Sequence, residues 1–123
     1  MKRDWDMIRD ILSKTEECTL NTDTVRLSDF PESDAASASY HVALLIDADL
    51  IDGQVVNTMG AGVKDFFAQR LTWEGHEFLD SIRSDTVWKK TKKLFADEGL
   101  SMTVDLIKGT AKKVGMAIID AAS

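Results

Sequence analysis

The chain has 123 residues, of which 44 % are hydrophobic and 29 % charged, with one proline and one cysteine. This composition is typical of one globular domain and excludes a disordered chain. The net charge of −6 is unevenly distributed, because residues 1–63 carry five basic and twelve acidic side chains whereas residues 64–123 carry ten and nine. No Lys or Arg occurs between Arg26 and Lys64.

The N-terminal residues and the apolar runs predict a cytoplasmic protein without a membrane segment. The opening Met-Lys-Arg-Asp-Trp-Asp lacks the apolar stretch that follows the basic residues of a signal peptide. The longest clean apolar run, 42–46, is too short to span a membrane. The lone Cys18 cannot form an intramolecular disulfide, and the charges of Glu16 and Glu17 favour an unreactive thiol.

The first elements in chain order are a helix and a short strand. Residues 3–17 predict a helix, because apolar side chains recur at helical spacing at Trp5, Ile8, Ile11 and Leu12. The turn-like residues 18–23 end it, and the alternation in 24–27 predicts a strand. Residues 28–33 predict a loop or a helix entry, with Ser33 or Asp34 as the N-cap.

The central segment predicts a helical pair followed by a hairpin. Residues 34–50 predict one or two helices, and Gly53 is expected to stop them. Residues 55–57 and 66–72 predict two strands, and the glycine-rich stretch 58–62 between them predicts a long, flexible loop. Such a hairpin has the shape of a wing.

The C-terminal third predicts three helices. Thr72 is expected to cap the first, Ser84 and Asp85 to begin the second, and Gly99 to end it. The last helix runs from about 101 to 122. Its apolar residues are spaced by three and four positions: Val104, Ile107, Ala111, Val114, Ile118 and Ala121.

This order of elements predicts a mainly α protein with a small β-hairpin, namely a winged helix-turn-helix with a C-terminal helical extension. We expect a single winged-helix-like domain over residues 1–123, with a winged-helix core in 1–83 and a helical tail in 84–123.

The chain resembles a known family, domain-of-unknown-function family 2513. The resemblance covers nearly the whole chain and is carried by residues 1–12, Tyr40–Leu45, the block Leu-Thr-Trp-Glu-Gly-His-Glu-Phe-Leu-Asp within 71–83, and residues 85–92. The family is bacterial and common in phages, so the resemblance implies a cytoplasmic protein of mobile-element type. It implies no activity, cofactor or catalytic residue.

The motifs of common enzymes and metal sites do not occur in the sequence. There is no phosphate loop, dinucleotide fingerprint or Gly-x-Ser-x-Gly, and neither His41 nor His76 has a second ligand at metal-binding spacing. Pairs such as Glu74 and Glu77 are most simply a solvated helix face. We therefore expect a binding protein without cofactor or metal, not an enzyme.

The surface that a winged helix normally presents to DNA is acidic here. Phosphate neutralisation needs Lys or Arg, and the helix at 37–50 has neither. We therefore predict a partner protein with a basic surface, such as a host protein that is inhibited or modulated, and the acidic side could mimic nucleic acid. The predicted contact residues are Asp29, Glu32, Asp34, Asp47, Asp49 and Asp52.

Two further hypotheses concern DNA and self-association. The alternative function is a dimeric transcriptional regulator, disfavoured by charge, whose DNA-contacting residues would be Ser37, Ser39, Tyr40, His41, Lys64, Arg70, Lys89, Lys90, Lys92 and Lys93. A lysine row is otherwise a solvated face. The apolar stripe of the last helix predicts either packing on its own domain or a homodimer seam, the latter formed by Val104, Ile107, Ala111, Val114 and Ile118.

Overall fold

The computed structural model describes residues 1–19, 23–56 and 64–122, which form five α-helices and one small antiparallel sheet. The elements in chain order are α1 (Trp5–Glu16), two short 3-10 helices (Leu27–Asp29 and Glu32–Asp34), α2 (Ala35–Asp47), β1 (Ile51–Val55), β2 (Phe66–Leu71), α3 (Trp73–Ile82), α4 (Asp85–Glu98) and α5 (Val104–Ala122). The prediction of a mainly helical protein with a hairpin is confirmed, whereas the winged-helix arrangement stays a prediction.

Helix α1 begins where the side chain of Asp4 caps it. The Oδ1 atom of Asp4 accepts hydrogen bonds from the backbone N–H groups of Asp6 and Met7, at 3.0 and 3.1 Å. Such a cap satisfies donors that have no partner within the helix. The apolar face is buried through Ile8, Ile11 and Leu12, as the spacing predicted.

The strand predicted over 24–27 is wrong beyond a single bridge. Val25 exchanges two backbone hydrogen bonds with Ala68, at 2.9 and 3.0 Å. The next residue leaves this pairing, because the N–H of Arg26 donates to Oδ2 of Asp29 at 2.8 Å and the chain turns into a 3-10 helix. A local side-chain acceptor thus competes with the sheet for the backbone donor.

Helix α2 ends earlier than predicted, and Gly53 does not end it. The chain reverses at Asp49, which has a φ of 61° and is the one described non-glycine residue in the left-handed region. Gly53 instead lies inside β1 at an irregularity in the register between Asp52 and Gly53. A Cβ there would come within 2.3 Å of the Phe67 carbonyl oxygen, so the glycine permits close strand pairing.

The hairpin pairs β1 with β2 over five positions, from Ile51 opposite Leu71 to Val55 opposite Phe66. The first strand therefore begins four residues before the predicted 55–57, whereas the second agrees with prediction. Asn57 and the predicted loop 58–62 lie outside the described residues.

The start of α3 explains much of the Leu71–Asp80 block. The hydroxyl of Thr72 accepts from the N–H of Gly75 at 3.0 Å and donates to the carbonyl of Asp49 at 2.7 Å, which confirms the predicted cap. A Cβ at Gly75 would lie 2.0 Å from the Leu50 carbonyl oxygen. Only glycine lets the helix approach the end of α2 so closely.

The chain divides into two compact units, residues 1–76 and 77–123. The predicted single domain with a boundary after residue 83 stays a prediction. In the second unit, Ser84 caps α4 through its bond from the N–H of Val87, and Gly99 ends it with a φ of 64°, as predicted. Helix α5 packs against α4.

Candidate functional site

The six predicted acidic contact residues do not form one patch. Asp29, Glu32 and Asp34 lie in the 3-10 turns before α2, whereas Asp47 and Asp49 lie at its far end. Helix α2 separates Asp34 from Asp47 by thirteen residues, or about 20 Å at 1.5 Å per residue. A partner that contacts both ends of α2 therefore needs two basic regions about 20 Å apart.

Two of the six carboxylates already have partners within the chain. Asp29 accepts the N–H of Arg26 and so holds a 3-10 turn. Asp52 forms an ion pair with Arg70 at 2.6 Å across the hairpin. In contrast, within the described part of the chain, the carboxylates of Glu32, Asp34, Asp47 and Asp49 make no hydrogen bond or ion pair.

The two ends of α2 differ in how they affect the helix itself. Glu32 and Asp34 precede its N-terminus, where the helix dipole favours negative charge. Asp47 and Asp49 lie at the C-terminus, where the same dipole disfavours it. Glu32 and Asp34 therefore stabilise the helix. Asp47 and Asp49 destabilise it, and no contact among the described residues offsets this loss of stability.

The surface contact predicted for His41 is wrong. Its side chain has 0 % exposure and is held at both ring nitrogens. The Nε2 atom accepts the backbone N–H of Asp4 at 2.7 Å, and Nδ1 lies 2.7 Å from the carbonyl oxygen of Ser37. Because that carbonyl can only accept, Nδ1 carries the proton. His41 therefore ties the start of α1 to α2 and cannot reach a base edge.

Other residues of the predicted DNA-reading set also have structural contacts. The hydroxyl of Ser39 donates to the carbonyl of Lys64 at 2.9 Å. Arg70 is paired with Asp52. Ser37 is half-buried beside the His41 ring, and Tyr40 is 38 % exposed with its ring edge-on to that of His41. Together these contacts weaken the case for base readout by α2.

The lysines of α4 do lie at the surface. Lys89, Lys90 and Lys93 are exposed, and Lys92 is half-buried with its ammonium 5.4 Å from the ring centre of Trp88. Lys93 also pairs with Asp97 one turn later, at 3.1 Å. Within the described part of the chain, Lys89 and Lys90 are thus the lysines of α4 that are exposed and make no hydrogen bond or ion pair.

The dimer seam predicted on α5 is wrong in its first half. Ile107 and Ala111 have 0 and 1 % exposure within the folded chain, so they cannot contact a second copy. Val114 and Ile118 are half-buried and line a groove of about 640 Å³ together with Leu94 of α4. The stripe packs within the chain where it begins and opens to solvent where it ends.

Sequence reasoning missed two features of the first unit. Asp65 forms an ion pair with Arg26 and accepts the N–H groups of Leu27 and Phe66, at 3.2 and 2.8 Å. Burial raises the pKa of this carboxyl, but the hydrogen bonds and the charge of Arg26 together lower it by more than burial raises it. The pKa therefore falls below its ordinary value. The second feature is Trp73 at the start of α3, a large aromatic side chain that is 76 % exposed.

The surroundings of Cys18 disfavour the thiolate form of its side chain. Its Sγ lies 3.8 Å from the carbonyl of Lys14 just after α1. Burial and the charges of Asp23, Asp29 and Glu17 raise the pKa of the thiol, which agrees in direction with the prediction.

The described residues contain no group of three or more His, Cys, Asp or Glu side chains placed to hold a metal ion. Among the described helices, none has the length and apolar character needed to cross a bilayer.

These features define a small, mainly helical protein with a two-stranded sheet and an acidic first unit. Comparison with known proteins identifies its family: residues 2–101 match the family described as "Hypothetical protein (DUF2513)". The chain belongs to this family, as its sequence predicted. It is also 37 % identical over 114 residues to an uncharacterized protein of Haemophilus influenzae, a match that covers 93 % of this chain and 95 % of the relative. No solved structure matches.

Proposed function

We propose that this protein is a non-enzymatic cytoplasmic module that binds a basic surface of another protein through the acidic ends of α2. The proposal includes a winged-helix-like arrangement in which the β1–β2 hairpin takes the place of the wing. In the mobile-element setting implied by the family resemblance, the partner is a host protein that is inhibited or modulated.

The observation that carries the proposal is the state of the four carboxylates of Glu32, Asp34, Asp47 and Asp49. They have no hydrogen bond or ion pair within the described chain, and α2 between them contains no Lys or Arg. A basic partner surface would meet four carboxylates that no cation of the described chain neutralises. It would also relieve the repulsion between Asp47, Asp49 and the negative end of the helix.

Charge also argues against the usual DNA contact. Duplex DNA would bring phosphates against a helix that has no cation and whose ends carry free carboxylates. The loss of His41 and Ser39 to internal contacts removes two of the predicted base-reading groups. The exposed lysines of α4 are what favours the alternative, a DNA-binding regulator, and they give it a separate test.

The first experiment is affinity capture from host lysate with two charge-neutralised variants. One carries Asp47→Asn and Asp49→Asn, and the other Glu32→Gln and Asp34→Asn. The control carries Glu98→Gln and Asp105→Asn, which changes the net charge equally but in the second unit. A partner that is retained by the control and lost by the first variant supports the proposal. A partner that all three variants retain contradicts it.

The second experiment titrates salt against binding to a random DNA duplex. The proposal expects no binding at low salt. Binding that weakens steeply as salt rises, and that is lost when Lys89, Lys90 and Lys93 are changed to Gln, would establish the regulator instead.

A further inference from the structure

The hairpin leaves one edge of the small sheet without a partner strand. On one side of β2, Val25 exchanges two backbone hydrogen bonds with Ala68, and on the other side of β2 lies β1. Among the described residues, no segment pairs with the outer edge of β1. An edge strand offers its unpaired backbone donors and acceptors to another chain.

The hydrogen bonds of the hairpin show which backbone groups of β1 point outward. The N–H of Val56 donates to the carbonyl of Asp65 at 2.8 Å, so Val56 faces β2. Successive residues of a strand direct their N–H and C=O groups to alternate sides, so Val55 faces away from β2. Gly53 faces the same way, because Ala68 lies opposite it and directs both of its own backbone groups away from β1.

The outward groups of Gly53 and Val55 are accessible and have no partner. Both residues are half-buried, and Gln54 between them is exposed. Within the described part of the chain, no backbone or side-chain group outside the sheet bonds to either residue. Buried or half-buried backbone groups are normally paired in folded proteins. The edge thus presents two donors and two acceptors with the spacing that another strand requires.

Charge determines which kind of chain fits this edge. Asp47 ends α2 and Asp49 lies two residues before β1, and neither carboxylate has a partner in the described chain. The unit that contains β1, residues 1–76, carries seven basic and fourteen acidic side chains. Pairing β1 with β1 of a second copy would bring these acids together, whereas a basic segment would neutralise them.

We propose that the basic partner contributes an extended segment, which pairs with the outer edge of β1 and adds a strand to the sheet. The backbone of this segment exchanges hydrogen bonds with Gly53 and Val55, and its Lys or Arg side chains lie beside the carboxylates of Asp47 and Asp49. The inference rests on the proposed function for the charge of the partner, and it adds the conformation in which the partner binds.

The first test measures the hydrogen exchange of single backbone amides by nuclear magnetic resonance in the free protein. The amides of Gln54 and Val56, which face β2, are expected to exchange at least about tenfold more slowly than those of Gly53 and Val55. Equal protection of all four amides would overturn the proposal, because the edge would already be paired. Protection of Gly53 and Val55 that rises with protein concentration would also overturn it, because a second copy would then occupy the edge.

The second test adds a short peptide of alternating Lys and Val with blocked ends. At saturation, this peptide is expected to slow the exchange of the Gly53 and Val55 amides by at least about tenfold. The same peptide with methylated peptide nitrogens keeps the charge but cannot donate backbone hydrogen bonds, so its affinity should be at least about tenfold lower. A peptide of alternating Glu and Val should not bind, because the acids of this unit repel it.

Val55→Pro tests the edge from the side of the protein. It removes one outward donor and leaves the bonds to β2 in place, since an edge strand tolerates proline where its N–H faces solvent. The affinity for the Lys peptide should fall by about fivefold. Val55→Ala is the matched control, because it shortens the side chain and keeps the N–H, and circular dichroism checks that both variants fold. If Val55→Pro does not fold, the methylated peptide decides.

The outcomes separate this inference from the proposed function. Binding of the Lys peptide that survives both methylation and Val55→Pro would overturn the strand pairing and leave the acidic site intact. Equal binding of the Lys and Glu peptides would overturn the charge preference on which both proposals depend. Binding of neither peptide would overturn the inference alone, since capture of a folded basic partner through Asp47 and Asp49 is measured separately.

Discussion

The two units of this protein bury polar groups in different ways. In residues 1–76, the buried Thr15 donates its hydroxyl proton to the carbonyl of Ile11 at 2.7 Å, and buried His41 has partners at both nitrogens. In residues 77–123, the buried hydroxyl of Thr91 has no hydrogen-bond partner among the described residues. The buried polar side chains Thr15 and His41 of the first unit thus have hydrogen-bond partners, whereas the buried hydroxyl of Thr91 in the second unit has none among the described residues.

The surfaces of the two units also differ, both in charge and in the apolar side chains that they expose. The first unit carries seven basic and fourteen acidic side chains, whereas the second carries eight and seven. Among the described residues, the large exposed apolar side chains are Leu94, Leu100, Leu106, Met116 and Ile119 in the second unit and Met1, Tyr40 and Trp73 in the first. The first unit is therefore the more acidic, and the second exposes more large apolar side chains.

The largest expected effect contrasts one glycine from each unit. Gly75→Ala should lower the free energy of unfolding by about 3 kcal/mol or more, because the new Cβ would collide with the backbone at Leu50. Gly109→Ala should instead raise it, by up to about 1 kcal/mol, because its Cβ has open space in a helix. Urea denaturation followed by circular dichroism measures both at a concentration where the chain is monomeric. Equal effects of the two variants would contradict the contacts described for Gly75.

A second, smaller effect should depend on pH. Asp65→Asn should lower the stability of the first unit by about 1 kcal/mol at pH 7, allowing for the partial exposure of the ion pair. Since folding lowers the pKa of Asp65, its contribution is complete above the pKa of the unfolded chain and is lost as the pH falls through the folded pKa.

The measurement is the stability difference between wild type and Asp65→Asn in urea at several pH values. The difference should be constant from pH 7 to about 5 and should shrink below about pH 4. Asp80→Asn is the control, because Asp80 pairs with Arg83 one helical turn away on an exposed surface. A difference for Asp65→Asn that grows on acidification would show the opposite sign of the pKa shift.

The two buried threonines, Thr91 and Thr15, allow the same substitution to be compared in the two units, with expected stability changes of similar magnitude and opposite sign. Thr91→Val should raise stability by up to about 1 kcal/mol, because it removes a buried hydroxyl that has no partner. Thr15→Val should lower stability by about 0.5–1 kcal/mol, because it removes a formed hydrogen bond. Thermal and urea unfolding of the two variants measure the contrast, and a destabilised Thr91→Val would indicate that the hydroxyl has a partner.

The smallest effect sharpens the proposed role of the acidic first unit. Asp49→Gly should stabilise the chain by about 0.5 kcal/mol, since glycine adopts the left-handed conformation freely and the carboxylate leaves the negative end of α2. The same change should weaken capture of the basic partner. Asp49→Asn separates the causes, because it removes the charge and keeps a side chain that tolerates this conformation. Unchanged capture by both variants would remove Asp49 from the proposed site.

Local signals in the sequence determined most of the helices and the second strand. The apolar spacing of Ile8, Ile11 and Leu12, the cap at Thr72 and the stop at Gly99 act over one or two turns, so they were readable without the fold. The family was likewise evident from the Leu71–Asp80 block. The count of carboxylates and the gap between Arg26 and Lys64 also needed only the sequence.

Tertiary structure decided whatever depended on residues far apart in the chain. The hydrogen bond from the backbone N–H of Asp4 to His41 joins residues 37 positions apart. It is the reason that His41, which was expected at the surface, is buried and links α1 to α2. The contact of Gly75 with Leu50 and the pairing of Asp65 with Arg26 arose in the same way. A periodic pattern reveals that a helix has an apolar face, but only the packed chain shows how far along that face its own neighbours reach. The covered start and open end of the α5 stripe are the consequence.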